Sequence, residues 1–144
     1  MSDKNFDLAG FLPYLLNQAA EESSLSFQRV YKDRYGMLRT EWRVLFHLGL
    51  YGRMTAADIG QRSKMHKTKI SRAVSALEAR RFLTRERDTD DRRQEYLDLT
   101  GAGRAAFRDL QDVARRHDAA LIATLSDSEE ATLRDVLRRL AKMG

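Results

Sequence analysis

Residues 66–78 combine an apolar stripe with a face of short and cationic side chains. The apolar residues recur every three or four positions, the repeat of one helical face: Ile70, Ala73, Val74 and Leu77. The opposite face carries Thr68, Arg72 and Ser75, flanked by Lys69 and Ser71. Because these side chains are short or positively charged and rich in hydrogen-bond donors, the face can approach a polyanion closely. We therefore expect double-stranded DNA as its partner.

The residue types on this face suggest different contacts. Arginine is suited to bidentate contact with guanine edges, which makes Arg72 a candidate base reader. Ser and Thr more often bind phosphate, and Lys64 and Lys67, at the entrance of the helix, are suited to phosphate as well. The alternative for Arg72 is a surface arginine paired with a neighbouring carboxylate.

Residues 82–99 predict a β-hairpin with two arginines at its tip. Leucines alternate with polar residues toward its end, as in a half-exposed strand, and residues 89–91 have a turn composition. Arg92 and Arg93 follow that turn. Arginine at a hairpin tip can enter a narrow minor groove, where the negative potential is strongest. The alternative is an ordinary solvated charged turn.

The positive charge of the chain is concentrated in this region. The 144 residues carry 26 Lys and Arg against 21 Asp and Glu, a net charge of +5. Residues 62–93 hold eleven of these basic residues and five of the acidic ones, so their local net charge is +6. Such asymmetry is typical of a nucleic-acid footprint.

Helical repeats and capping residues place these features in a mainly helical chain with a small β-wing. Thr40, Thr55 and Ser126 are candidate helix caps, the last two with an acidic residue three positions on. Ile59 is the one large apolar anchor of the helix that begins at Thr55. Helices are predicted over residues 7–35, 41–50, 55–62, 66–80, 100–124 and from 126 onward.

The terminal helices carry apolar stripes too long for the small middle domain to cover. We expect them to pack on each other and on a second copy, which predicts a symmetric homodimer. Residues 1–36 and 101–144 would form the dimerisation helices, and residues 37–100 the DNA-binding domain. The alternative is a monomeric helical bundle.

Several function classes find no support in the sequence. Absence of cysteine excludes disulfides and cysteine-ligated zinc, and His47, His66 and His117 match no metal spacing. No catalytic motif or Gly-rich phosphate loop is present, so we predict neither an enzyme nor a cofactor. The sequence shows no signal peptide and no apolar run of membrane-spanning length, so we expect a cytoplasmic protein without membrane contact.

Four motifs in order resemble the multiple-antibiotic-resistance regulator (MarR) family. They are Trp42-Arg43-Val44-Leu45, residues 69–72, Asp91-Arg92-Arg93 and the run Leu-Asp-Leu-Thr-Gly-Ala-Gly at 97–103. The resemblance implies a winged helix–turn–helix subunit in a homodimer that represses transcription from a pseudo-palindromic operator. It also implies release from DNA by a small organic, often aromatic, anion.

The chain departs from the family pattern at two positions. Arg81 stands where the family usually has glycine after the second helix of the motif, and a left-handed conformation there would be strained. Glu41 stands where many members have proline, and an acidic residue is suited to the first turn of a helix.

The resemblance places an effector pocket between the dimerisation helices and the winged domain. Its candidate apolar wall is Phe11, Tyr14, Trp42 and Phe46. The candidate cation is Arg43, or Arg115 and Arg116 together with His117. The alternatives are that the aromatic residues belong to the core and that His117 is a surface histidine.

The sequence therefore predicts a dimeric DNA-binding transcription regulator, with the helices that read DNA about 34–36 Å apart. A rival is a protein-binding adaptor or antitoxin-like module on the same fold, against which the local charge argues. A small enzyme is the second rival, and no feature of the sequence supports it.

Overall fold

The computed structural model describes residues 5–91 and 93–143. A short 3-10 turn at Leu8–Gly10 precedes the first helix. In the described residues, the helices are α1 Leu12–Tyr35, α2 Arg39–Tyr51, α3 Ala56–Ser63, α4 Lys67–Ala79, α5 Gly101–Ile122 and α6 Asp127–Leu140. The strands are β1 Met54–Thr55, β2 Leu83–Arg87 and β3 Glu95–Leu99. The predicted mainly helical fold with a small β-wing is confirmed.

The chain forms two compact units. One combines the chain up to Leu25 with the chain from Val113, and we call it the terminal unit. The other is Ser26–Asp112, which contains the sheet and which we call the winged unit. None of the helices in the described ranges is long and apolar enough to cross a membrane.

The winged unit is built on the helical stripe that the sequence predicts. Ile70, Ala73, Val74 and Leu77 of α4 are all buried, as is Ile59 of α3. Burial of a large aliphatic side chain contributes about 1.5–3 kcal/mol, so this stripe fixes which face of α4 points inward. Its remaining face is thereby left for solvent or for a partner.

The sheet has three antiparallel strands in the order β1-β3-β2. Leu83 of β2 lies opposite Leu99 of β3, and Arg87 lies opposite Glu95 at the far end of the pair. The hairpin is thus confirmed, but the sequence missed β1, which pairs Met54 with Leu97. A strand of two residues is too short to show an alternating pattern.

Two of the three predicted helix caps are confirmed. Thr55 Oγ1 accepts the Asp58 N–H at 3.1 Å, and the Asp58 carboxylate accepts the Thr55 N–H at 3.2 Å. Ser126 and Glu129 form the same reciprocal capping box at the start of α6. These bonds satisfy backbone donors that a helix start leaves without intrahelical partners.

The prediction that Thr40 caps α2 is wrong. The helix begins at Arg39, two residues before the predicted start at position 41, and Leu38 occupies the cap position without a side-chain hydrogen bond. Met37 is buried, and its N–H donates to the carbonyl oxygen of Tyr31 at 3.3 Å. The chain therefore turns directly from α1 into α2, and packing rather than a polar cap sets this boundary. Helix α1 also begins later than predicted, at Leu12.

The chain leaves α4 through a left-handed residue, Arg81, with a φ of 64°. The Phe82 N–H donates to the Leu77 carbonyl at 2.9 Å and the Arg81 N–H to the Glu78 carbonyl at 2.9 Å, the two bonds of a Schellman turn. Glycine normally takes this position, so Arg81 is strained as the sequence predicts. Thr100 Oγ1 donates to the Arg81 carbonyl oxygen at 2.7 Å.

The turn after α4 packs directly against the start of α5. Thr100 Oγ1 accepts the Gly103 N–H at 3.0 Å, and the Thr100 N–H donates to the Phe82 carbonyl oxygen at 3.0 Å. A Cβ atom on Gly103 would lie 2.0 Å from that carbonyl oxygen. The Leu-Thr-x-x-Gly run therefore has a packing role, because only glycine leaves room for the backbone of Phe82.

We expect Gly103→Ala to destabilise the protein by about 1–3 kcal/mol, since the backbone must move to admit the methyl group. Gly101→Ala is the matched control, because a Cβ there would meet nothing within 4 Å. Urea unfolding at a fixed protein concentration measures both. Equal midpoints for the two variants would contradict the proposed packing role of Gly103.

Candidate nucleic-acid interface

The outer face of α4 carries the predicted DNA contacts. Its five candidate side chains are all exposed: Thr68, Lys69, Ser71, Arg72 and Ser75. Within residues 5–91 and 93–143, no carboxylate lies within ion-pair distance of Arg72. In the described part of the chain, Arg72 therefore forms no surface ion pair, contrary to the alternative interpretation.

The turn before α4 is fixed by buried hydrogen bonds. The hydroxyl of Ser63 donates to the Ile59 carbonyl at 2.6 Å and accepts the Met65 N–H at 3.2 Å. Arg43 Nη2 donates to the Ser63 carbonyl at 2.7 Å, which ties the turn to α2. His66 then caps α4, because its Nδ1 accepts the Thr68 N–H at 3.2 Å.

Two lysines lie at this entrance, as the sequence predicts. Lys64 is exposed and ends α3 with a left-handed φ of 61°, and Lys67 is the exposed first residue of α4. Lys67 lies at the N-terminal end of α4, where the macrodipole favours an anion, and Lys64 lies three residues before it in the turn. Their placement suits contact with phosphates better than reading of base edges.

A cleft of about 580 Å³ separates α4 from the hairpin. Lys67 and Ser71 line its helical side, and Arg93 and Gln94 line the side near the hairpin tip. The first turn of α3 also contributes to the wall. Positive side chains therefore lie on both sides of the cleft, whose lining also includes the carboxylates Asp58 and Glu95.

The hairpin tip is organised by one carboxylate. Asp91 Oδ1 accepts the backbone N–H of Arg93 at 3.1 Å and its Nε at 3.2 Å. The Arg93 side chain is nevertheless 92% exposed, which leaves its terminal nitrogens able to reach a polyanion. Arg92, the second predicted tip arginine, lies outside the described residues.

Arg85 links the hairpin to α4, a role that no local pattern in the sequence indicates. Its guanidinium donates to Glu78 at 3.0 Å, to Ser75 Oγ at 3.1 Å and to Glu95 of β3 at 3.2 Å. Partial burial lowers the pKa of Arg85, but the bonds and charges of Glu95 and Glu78 outweigh it and raise that pKa. Ser75 Oγ thus already accepts a hydrogen bond from Arg85, and its hydroxyl proton can still donate to DNA.

The predicted effector residues divide between the two units. In the winged unit, Trp42 and Phe46 belong to an aromatic cluster with ring centroids 5.1 Å apart, and Phe46 also lies 5.2 Å from Phe107. Arg43 is half-buried, and burial, followed by the charge of Arg39, lowers its pKa. Its bond to the Ser63 carbonyl gives this arginine a structural role whether or not it also binds an anion.

The remaining candidates belong to the terminal unit. Phe11 packs against Phe6 with ring centroids 5.2 Å apart, Tyr14 is half-buried and Arg115 is exposed. His117 is either part of the candidate cation or a surface histidine in the sequence analysis. His117 is half-buried, and its Nε2 donates to the Ser23 carbonyl at 2.6 Å, which joins α5 to α1 within this unit.

Comparisons with known proteins agree with this geometry. The model of the MarR family matches residues 35–94, which run from the end of α1 to the hairpin. The solved MarR family transcriptional regulator SPO1453 from Silicibacter pomeroyi is 31% identical, with a TM-score of 0.82, over 95% of this chain and 97% of that one. The uncharacterized HTH-type transcriptional regulator YwaE of Bacillus subtilis is 24% identical, over 88% of this chain and 74% of its own length.

A third similar protein adds information on ligands. The structure of BpsR from Bordetella bronchiseptica has a TM-score of 0.86 and is 21% identical, over 96% of this chain and 99% of that one. The DNA binding of BpsR is regulated by 6-hydroxynicotinic acid. At this level of identity the similarity to the present chain shows a shared fold.

We expect Arg85→Gln to weaken binding to duplex DNA about fivefold, because loss of its ion pairs, worth about 1 kcal/mol together, frees the hairpin relative to α4. Arg139→Gln is a matched control, since it removes an exposed ion pair with Asp135 in α6. Fluorescence anisotropy with a labelled duplex measures both variants. Unchanged affinity in Arg85→Gln would show that the fastening contributes nothing to binding.

Proposed function

We propose a function for this chain, which belongs to the MarR family of DNA-binding transcription regulators. The match to the family model and the 31% identity with the Silicibacter regulator show this membership. We propose further that the chain binds a pseudo-palindromic operator as a homodimer and represses transcription there. The observation that carries DNA reading is the exposed polar face of α4 opposite its buried stripe.

We assign each candidate side chain a contact with bases or with phosphates according to its type and its position. Arg72 reads base edges in the major groove, and Lys69, Ser71 and Thr68 contact bases or adjacent phosphates. Lys64 and Lys67 hold phosphates at the entrance of the helix, and Ser75 adds a contact through its remaining hydroxyl proton. Arg93, together with Arg92, contacts the minor groove or the backbone beside it.

A homodimer is supported by the apolar surface of the terminal unit. Helix α6 buries none of its residues within the chain, although Leu133, Leu137 and Leu140 recur at helical spacing. Of the fourteen exposed large hydrophobic residues of the described chain, eleven belong to this unit. Exposed apolar area of this extent marks an interaction surface. We assign residues 1–36 and 101–144 to dimerisation and residues 37–100 to DNA binding.

We propose that a small aromatic anion releases the operator. The regulation of BpsR by 6-hydroxynicotinic acid provides a precedent on the same fold. In this chain the candidate contacts are the rings of Trp42, Phe46, Phe11 and Tyr14, with Arg43 or Arg115 for the anionic group. Repression then follows when the operator overlaps a promoter, because the bound dimer excludes RNA polymerase.

Selection of bound duplexes from a random pool, repeated with DNA from upstream of its own gene, tests this function. We expect a two-fold symmetric sequence with half-sites about 34–36 Å apart. A selected sequence without two-fold symmetry would contradict binding as a homodimer. Loss of the complex on addition of aromatic acids, but not of matched neutral amides, would support release by an anion.

We expect Arg93→Ala to weaken binding to the selected sequence and to random DNA alike. Loss of one phosphate contact should lower the slope of log affinity against log salt by roughly 0.9. Titration at several salt concentrations measures this slope. An unchanged slope would contradict backbone contact by the wing.

We expect Arg72→Ala to act differently, by relaxing discrimination at one base position by about 1–3 kcal/mol. Binding to a set of singly substituted operators measures the discrimination. Equal losses on specific and random DNA would reassign Arg72 to a phosphate.

We expect Leu133→Glu with Leu137→Glu to give a monomer, because two carboxylates would have to be buried in the proposed interface. Leu50→Glu is the control, since Leu50 is also an exposed leucine but lies in the winged unit. Light scattering after size-exclusion chromatography measures the mass. A dimeric double variant would place the interface elsewhere.

A further inference from the structure

Arg80 connects the end of α4 to the junction between α1 and α2. Its Nη2 donates to the Gly36 carbonyl oxygen at 2.8 Å, and its Nη1 donates to the Tyr35 carbonyl oxygen. Those carbonyls belong to the last turn of α1 and the residue after it, where helices lack intrahelical donors. The guanidinium thus caps α1 from a position 44 residues further along the chain.

The same guanidinium compensates a buried charge. Glu41 in the first turn of α2 is 4% exposed, and its Oε1 lies 3.5 Å from Arg80 Nη2. Among the described residues, that oxygen has no hydrogen-bond partner. Because a buried carboxylate is costly unless a cation pairs with it, the position of Arg80 is fixed by Glu41 as well as by the two carbonyls.

We propose that Arg80 is a positioning residue, which holds α4 at a fixed angle to the α1–α2 junction and thereby sets discrimination between DNA sequences. This inference rests on the proposed function. Arg80 occupies the C-cap of α4, whereas the candidate base contacts lie toward the opposite end. A tilt of about 5° over a helix roughly 20 Å long moves the far end by about 2 Å, enough to break hydrogen bonds to base edges.

Direct contact with DNA is a different role, and the geometry disfavours it. Arg80 engages two carbonyl oxygens and one carboxylate, and its side chain is 35% exposed. Arg93, by contrast, is almost fully exposed at the hairpin tip. Removal of Arg80 should therefore disturb the angle of α4 without removing a phosphate contact.

The test uses the double variant Arg80→Gln/Glu41→Gln, because neutralising Glu41 at the same time leaves no buried charge without a partner. A thermal melt first establishes that it folds. We expect affinity for the selected operator to fall about tenfold, affinity for random DNA to change less than about twofold, and the salt slope to stay constant.

An unchanged ratio of the affinities for the selected operator and for random DNA would indicate a merely structural role and would overturn the proposal. Equal losses of both affinities together with a lower salt slope would also overturn it, in favour of a phosphate contact.

Two further variants sharpen the result. Arg80→Lys keeps a charge beside Glu41 but cannot bridge two carbonyl oxygens with planar donors, so we expect an intermediate loss of discrimination. Arg104→Gln removes an exposed ion pair with Asp98 in the same unit and should leave discrimination unchanged. Equal effects of Arg104→Gln and the double variant would contradict a specific role for Arg80.

Hydrogen exchange in the absence of DNA separates this inference from the proposed function. We expect the double variant to exchange faster at residues 35–41 and 77–82 than the parent protein, with β2 and β3 unchanged. Unchanged exchange at both segments would overturn the positioning role. If the parent protein selected no DNA sequence, the proposed function would fail, while the exchange measurement would still decide whether Arg80 holds the junction.

Discussion

The route by which the chain leaves α4 constrains the rest of the winged unit. Arg81 adopts the left-handed conformation, and the carbonyl of Phe82 then points to a place where only glycine at position 103 leaves room. Because β2 begins at Leu83 and α5 at Gly101, this one turn sets the direction of both elements. A non-glycine residue in this conformation costs roughly 1–2 kcal/mol, so the fold tolerates local strain in order to keep the geometry.

Four arginines of the basic stretch differ in how the protein engages them. Arg80 and Arg85 are bound by carboxylates or carbonyl oxygens of other elements. Arg72 is exposed on the outer face of α4, and Arg93, although bonded to Asp91, is 92% exposed at the hairpin tip. Two of the carboxylates that bind the first pair, Glu41 and Glu95, lie outside residues 62–93 and partly offset the local net charge of +6. Within the region itself, Glu78 binds Arg85 and Asp91 binds Arg93, so these two carboxylates orient arginines of the proposed reading surface.

Features that depend on local spacing could be predicted from the sequence. The buried stripe of α4 and the capping boxes at Thr55 and Ser126 follow from helical periodicity and from residues three positions apart. Features that depend on tertiary contacts could not. The start of α2 is set by burial of Met37, and the roles of Arg80 and Arg85 arise from partners on other elements, which no local pattern reveals. The two-residue strand β1 is too short to leave any periodic signal.

Rigidity within the winged unit matters because the proposed dimer must present two reading helices at once. Once one reading helix has bound its half-site, binding of the other helix becomes an intramolecular step. The effective concentration of that second helix is therefore high, provided that its half-site is in register. The gain exists only if both helices keep a fixed angle and spacing. The apolar helices of the terminal unit would set the spacing, whereas the Schellman turn, Arg80 and Arg85 would set the angle. A loosened α4 would still be drawn to phosphates, but it would lose the simultaneous fit on which discrimination depends.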